Sequence, residues 1–165
     1  MSDMGTYKAW SRDVDLPEGG EFHYVGSYSI NSWTNFMTAD RGSRKKEWFW
    51  KKTQNVKNTS RVPLFADSTW MDAWPRPEDT PIPSPDGFMV GDQGQSGEMN
   101  HFCIARHNGK ANFAFMDWSI RPVGLKELWT LKWHRQFDTK GPWTMAGNNG
   151  AIPQWPQWLQ KYSDF

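Results

Sequence analysis

The sequence predicts an α+β fold: a small antiparallel meander with a C-terminal packing helix, joined by long irregular loops rich in Trp, Pro and Gly. Three observations carry this. Asn108-Gly109 is the dipeptide that best tolerates positive φ at both central positions of a tight hairpin turn, and it lies between alternating apolar residues. Leu125, Leu128, Trp129, Trp133 and Phe137 recur at three- and four-residue spacing, as one stripe of a helix does. Finally, 14 Gly, 11 Pro and a mean hydropathy of -0.81 call for much irregular chain.

The 165 residues are expected to form a single domain. Residues 1–20 read as extended or partly ordered. Within residues 41–61, Trp48-Phe49-Trp50 sits among lysines and reads as an edge strand, with Trp48 and Trp50 on one face and Phe49 on the other. Residues 74–99, with Pro75, Pro77, Pro81, Pro83 and Pro85, have no period and read as a long loop. Residues 101–123 read as the β-meander. With Asn108 and Gly109 as the loop, Phe102 faces Phe115, Ile104 faces Phe113 and Cys103 faces Ala114. A second turn at Asp117-Trp118 pairs Ile120 with Phe115 and Pro122 with Phe113, giving a core face of Phe102, Ile104, Phe113, Phe115, Ile120 and Pro122. The opposite face, Cys103, Ala105, Ala114 and Met116, is small enough for another element to approach closely, and a helix is the usual cover. Residues 124–137 read as a helix with Lys126, Glu127, Thr130 and His134 on its polar side. Residues 138–165, after the Gly141-Pro142 stop, read as an irregular tail.

The same region resembles a known family. Arg106-His107-Asn108-Gly109 followed by Asp117, nine residues separating the His and the Asp, is similar to the C-terminal signature of the prepilin-like type II secretion pseudopilins of planctomycete-type bacteria. The run from Asp117 to His134, the Gly26–Trp33 segment, Val62-Pro-Leu-Phe-Ala-Asp67 and the Trp155–Trp158 tail resemble one branch of that family, so the likeness covers most of residues 22 to 165. It departs at Trp118, where the broader family usually has glycine.

The resemblance implies a pilin-like globular head, the distal part of an ectodomain, that acts in assembly of a secretion or surface filament and has no catalysis. It implies pseudopilin-like subunits or secretion components as partners. It also implies a periplasmic or extracellular head anchored in the inner membrane by a long apolar N-terminal helix. Residues 1–10 are mixed and polar, and no apolar run approaches the ~18 residues of a membrane span, so neither a targeting nor a transmembrane segment is expected in the sequence as written. A sheet built for such a helix would leave apolar surface open, and self-association through it is expected.

Charge is uneven although the net is only +1, which gives no support to general nucleic-acid affinity. Residues 41–61 hold eight basic residues against Glu47, a net +7, while residues 62–100 hold seven acids against Arg76, a net -6. Two readings follow: solvated loops that offset one another in the fold, or complementary patches between neighbouring subunits. Arg44, Lys45, Lys46, Trp48, Trp50, Lys51 and Lys52 form the candidate interaction surface. Basic residues alternating with aromatics can also bind single-stranded nucleic acid, but strand alternation explains the pattern without a ligand.

Twelve tryptophans are too many for a small domain to bury completely. They read as clamps that hold loops to the sheet; an aromatic platform for sugars, making the chain a carbohydrate-binding module, is the alternative.

His107 and Asp117 could suggest acid-base chemistry. At opposite ends of a strand spanning 110 to 116, though, they would lie roughly 20 Å apart. Each is therefore expected to serve its own turn, and nothing supplies a nucleophile with a base. The four histidines show no metal-ligand spacing, and the lone Cys103 excludes a thiolate zinc cage. No cofactor is expected, with Asp86, Asp92 and Glu98 the weak candidates for calcium.

Overall fold

The computed structural model describes residues 10–52, 54, 56–85 and 97–165. The fold is mixed α+β. Strands β1 (Trp10–Asp15) and β2 (Glu21–Gly26) form an antiparallel ribbon. Strands β3 (Tyr28–Asn31), β4 (Pro63–Asp67), β5 (Asp72–Ala73), β6 (Lys110–Phe115) and β7 (Ile120–Gly124) form a sheet of order β5-β3-β4-β6-β7, antiparallel except for the β3–β5 edge. A single turn of α-helix, α1 (Gln157–Gln160), closes the tail.

Asn108 and Gly109 do form the tight turn, with φ of 51° and 80°, and His107 N–H donates to the Lys110 carbonyl across it. The strand expected before the turn is absent. Glu98–His101 is a short 3-10 turn, and the chain continues through local bonds such as Cys103 N–H to the Met99 carbonyl. Phe102, Cys103 and Ile104 are buried in direct succession, which an alternating strand with a wetted face does not permit. The β6 edge is taken instead by β4, with Phe65 opposite Ala114 and Ala66 opposite Phe113.

The second turn shifts the register by one. Trp118, at φ 65°, forms a three-residue loop in which its N–H donates to the Phe115 carbonyl and Phe115 N–H donates to that of Ser119. The extra residue in a left-handed bulge moves Ile120 opposite Ala114 and Pro122 opposite Asn112. Ile120 and Pro122 therefore point outward, and Val123 takes the core position beside Ala111. Phe113 and Phe115 remain buried as expected.

The helix expected over 124–137 is replaced by a 3-10 turn, Lys126–Thr130, and an extended exit at Leu131. All five stripe residues are buried, but so are Lys126, Leu131 and His134, so this segment is enclosed on more sides than one helical stripe can serve. Its backbone is satisfied from outside. Lys132 N–H donates to Arg61 and Arg135 N–H to Trp48, while the Trp133 carbonyl accepts from Asn31 Nδ2 and Trp50 Nε1, each at 2.9 Å. The buried Lys126 ammonium pairs with Asp164 at 2.8 Å.

The indoles act as clamps. Trp33 Nε1 donates to Pro75, Trp129 to Asp79, Trp133 to Leu128 and Trp158 to Ile82, all within 2.9 Å of a carbonyl. Three of these bonds tie the irregular segment 74–85, and the fourth closes the Leu128–Trp133 stretch, against a core that includes Phe49, Met99, Phe102, Phe113, Leu128 and Trp133. Of the segment 74–99, the described residues contain no strand. Residues 74–85 are held by Asp79, whose carboxylate accepts from Arg76 N–H and Met99 N–H at 2.9 Å. Burial pushes that carboxyl up to about 7, against the lowering by its two hydrogen bonds.

Candidate interaction surfaces

The signature residues gather at the ends of β6, and each has a structural duty. Arg106 donates to the Ser27 carbonyl at 2.7 Å and His107 Nε2 meets Asp67 at 3.0 Å. Asp67 is buried and also accepts from Asn112 N–H at 2.7 Å, so it ties the first turn to β4. Asp67 stands in the Val62–Asp67 segment noted in the sequence, but nothing there signalled its pairing with His107. Gly109 touches the Tyr162 ring so closely that a Cβ would collide with it, which fixes the tail against the turn. Asp117 accepts from Ser119 N–H and Oγ, and these bonds hold its carboxyl below the usual range. His107 and Asp117 thus serve separate turns through separate partners.

The Lys- and Trp-rich segment is not a strand; Trp48 to Phe49 is a series of turns, although Phe49 is buried and Trp48 and Trp50 are half-buried. Its members divide into two groups. Arg44 pairs with Glu98 at 3.2 Å and covers the Trp74 ring, while Lys45 pairs with Asp40 at 3.0 Å and Lys46 N–H donates to the same carboxylate. Trp48 stacks on His134 with centroids 5.0 Å apart and planes 9° apart. These residues belong to the fold.

Trp50, Lys51 and Lys52 instead border a cavity of about 430 Å³ with Phe36, Val56, Lys57 and Arg135. A neighbouring cavity of about 380 Å³ shares Trp50 and Lys57 and adds Arg61 and Lys132. Among the described residues, six cations and no acid line this groove. Arg61 belongs to the basic 41–61 segment read from the sequence, whereas Lys132 and Arg135 were not singled out there, because they join it only when the 130s segment packs beside Trp50.

A second surface lies on the outer side of the sheet. The pairings place Ile120, Ala114, Phe65 and Ile30 in one row across four strands, β7, β6, β4 and β3. Ile120 is 77% exposed and Phe65 46%, with Tyr28 at 59% and the exposed Pro122 in the adjoining row. Ala114, small and central, leaves a shallow trough between Phe65 and Ile120. Trp118, 78% exposed, stands at the end of the same hairpin. Of the face expected to be small, Ala114 is the member on this open side, whereas Cys103 is buried in the core.

The remaining candidates are weaker. Glu98 is engaged by Arg44 and by Trp74 N–H, and Asp86 and Asp92 lie outside the described residues. Among the described residues no group of three His, Cys, Asp or Glu could hold a metal. A cleft of about 850 Å³ is lined by Trp143, Trp155 and Gln154, but its two rings are tilted by 42° and Trp155 is buried, so they do not form a flat sugar platform. Among the described residues no helix is long and apolar enough to cross a membrane. No family model, curated protein or solved structure matches this chain.

Proposed function

We propose that this chain is a structural interaction module, the globular head of a pseudopilin-like subunit, whose open sheet face seats an apolar helix during assembly of a secretion or surface filament. The observation that carries the reading is the apolar row Ile120–Ala114–Phe65–Ile30. A sheet face of aliphatic and aromatic residues left in water is a docking surface by default, and each 100 Å² covered contributes about 2.5 kcal/mol. A central alanine between bulkier flanks suits the curved surface of a helix better than a second flat sheet. The Arg106–Asp117 segment supports the reading through the family likeness, because its residues set turns and strand length.

A photo-reactive phenylalanine analogue at position 65 or 120, introduced in the source cells, tests this directly. Expected adducts map to an apolar helical segment of a pilin-like subunit, and their mass tells whether it comes from the same polypeptide or a neighbour. Absence of adducts at both positions, or adducts only to polar segments, would overturn the proposal.

A further inference from the structure

We propose that the acidic tip of the β1–β2 ribbon of one copy docks into the cationic groove around Trp50 of a second copy. The two surfaces are distinct, so the contact is heterologous and propagates from copy to copy, closing into a ring or extending as a filament. It goes beyond the open sheet face and uses neither Phe65 nor Ile120.

The ribbon is the first half of the argument. Its attachments to the sheet lie near its base, where Trp10 Nε1 donates to the Tyr28 carbonyl at 3.2 Å and Arg12 reaches Met71 Sδ at 3.2 Å. The Trp10 ring packs against Gly26, where a Cβ would collide with it. Beyond that point no hydrogen bond or ion pair leaves the ribbon among the described residues, and a lone two-stranded hairpin is marginal in water. The register sets Asp13, Asp15, Glu21 and His23 on one face, with Glu18 in the Leu16–Gly20 turn. Residues 10–26 carry four acids against Arg12, a net -3. Asp13 is partly occupied by His23, whereas Asp15, Glu18 and Glu21 at the tip make no ion pair among the described residues.

The groove is the second half. Of its six cations, Arg61 and Lys132 donate to the carbonyls of Thr130 and Phe137. The side chains of Lys51, Lys52, Lys57 and Arg135 make no ion pair among the described residues. Burial holds the Lys132 ammonium below its ordinary range, and the Asp138 carboxylate nearby offsets this only in part. Phe36, 66% exposed, and Trp50 supply apolar contact beneath the charges. The two cavities, about 430 and 380 Å³, take the side chains of a hairpin tip and not a whole domain. An anionic polymer would meet the same cations, but the ribbon brings its own matched charge, with its carboxylates spaced by the β1–β2 register. No hydrogen bond or ion pair joins ribbon and groove within one chain among the described residues.

Sedimentation velocity on the full chain tests the contact. Wild type should self-associate at about 50 mM salt and weaken at least about tenfold at about 500 mM, as charge-steered contacts do. D15K/E18K has a basic tip facing a basic groove, and K51E/K52E/K57E/R135E, which leaves only Arg61 and Lys132 against four new carboxylates, an acidic tip facing an acidic groove, so each alone should be monomeric. Mixed one to one they should associate as wild type does, which also shows that both variants are folded. A monomeric wild type at low salt, variants that associate undiminished, or a mixture that stays monomeric would each overturn the proposal. So would K51E/K52E/K57E/R135E losing affinity for a single-stranded oligonucleotide while self-associating normally. None of these outcomes bears on adducts at positions 65 and 120, so the two proposals fail separately.

Discussion

Acidification should destabilise this protein in part through His134, one of two imidazoles, with His101, that burial holds well below the ordinary range. The His134 ring is 3% exposed, stacked on Trp48, with Trp33 at 4.8 Å and Phe137 at 5.3 Å between centroids. Nδ1 accepts from Gln136 N–H at 3.2 Å, so the neutral ring carries its proton on Nε2, which has no partner among the described residues. Protonation would cost the Nδ1 acceptor and place a cation near Lys132 and Arg76. Burial first, then those two charges, pushes the ring down to about 3 from the ordinary 6.5. Aromatic faces attract a cation but offer no acceptor, and here they do not offset the desolvation.

Between those two values the unfolded chain binds a proton that the folded chain refuses, so stability falls as pH drops through 6.5. From pH 7 to pH 5 this one group removes about 2 kcal/mol. His134→Phe keeps the ring stack and removes the titration. Urea unfolding at both pH values should show the variant losing about 2 kcal/mol less than wild type over the same interval. Parallel losses in the two proteins would mean that the folded imidazole titrates as in the unfolded chain, and the reasoning would fail. The comparison is of slopes, so any constant cost of the substitution drops out.

Two further outcomes follow from the loop clamp and the second turn. Asp79 has the opposite sign: its folded carboxyl stays protonated up to about 7 while the unfolded one ionises near 3.8, so its stabilisation is present at pH 4 and lost as pH rises through 7. Asp79→Asn should therefore gain about 2–3 kcal/mol relative to wild type between pH 5 and pH 8 in the same unfolding assay, and an unchanged difference would refute the assignment. Trp118 holds a left-handed conformation that favours glycine while leaving its indole in water, so Trp118→Gly should raise stability by up to about 1 kcal/mol in thermal unfolding. A loss of stability would show that the indole is held by the fold and is not an exposed surface group.

How much of this was legible is clearest residue by residue. The Asn108-Gly109 turn could be read because its backbone demand is local, and Phe113 and Phe115 could be assigned to the core because alternation survives any choice of neighbour. The partner across from them could not. Pairing β6 with β4 rather than with 102–107 requires closing a loop of some forty residues, and no local pattern reports which edge wins. The interaction surface was half visible: Trp50, Lys51 and Lys52 stand together in the sequence, whereas Lys132 and Arg135 join them only by packing. Lys45 and Arg44 looked equivalent to their neighbours until Asp40 and Glu98 engaged them.

The sequence by itself determined that Phe113, Phe115 and the Leu125–Phe137 stripe leave water, the first tight turn, the mixed class of the fold and the charge contrast between adjoining segments, because these follow from side-chain chemistry and backbone sterics over a few residues. Only the tertiary structure decided that the Leu125–Phe137 stripe is not a helix. Asn31, Trp48, Trp50 and Arg61 supply the hydrogen bonds a helix would have supplied to itself, and enclosure on several sides gains more than a single stripe could. Tertiary packing likewise decided that Ile120 faces outward, since one left-handed residue at Trp118 reverses the side on which the whole of β7 presents its side chains.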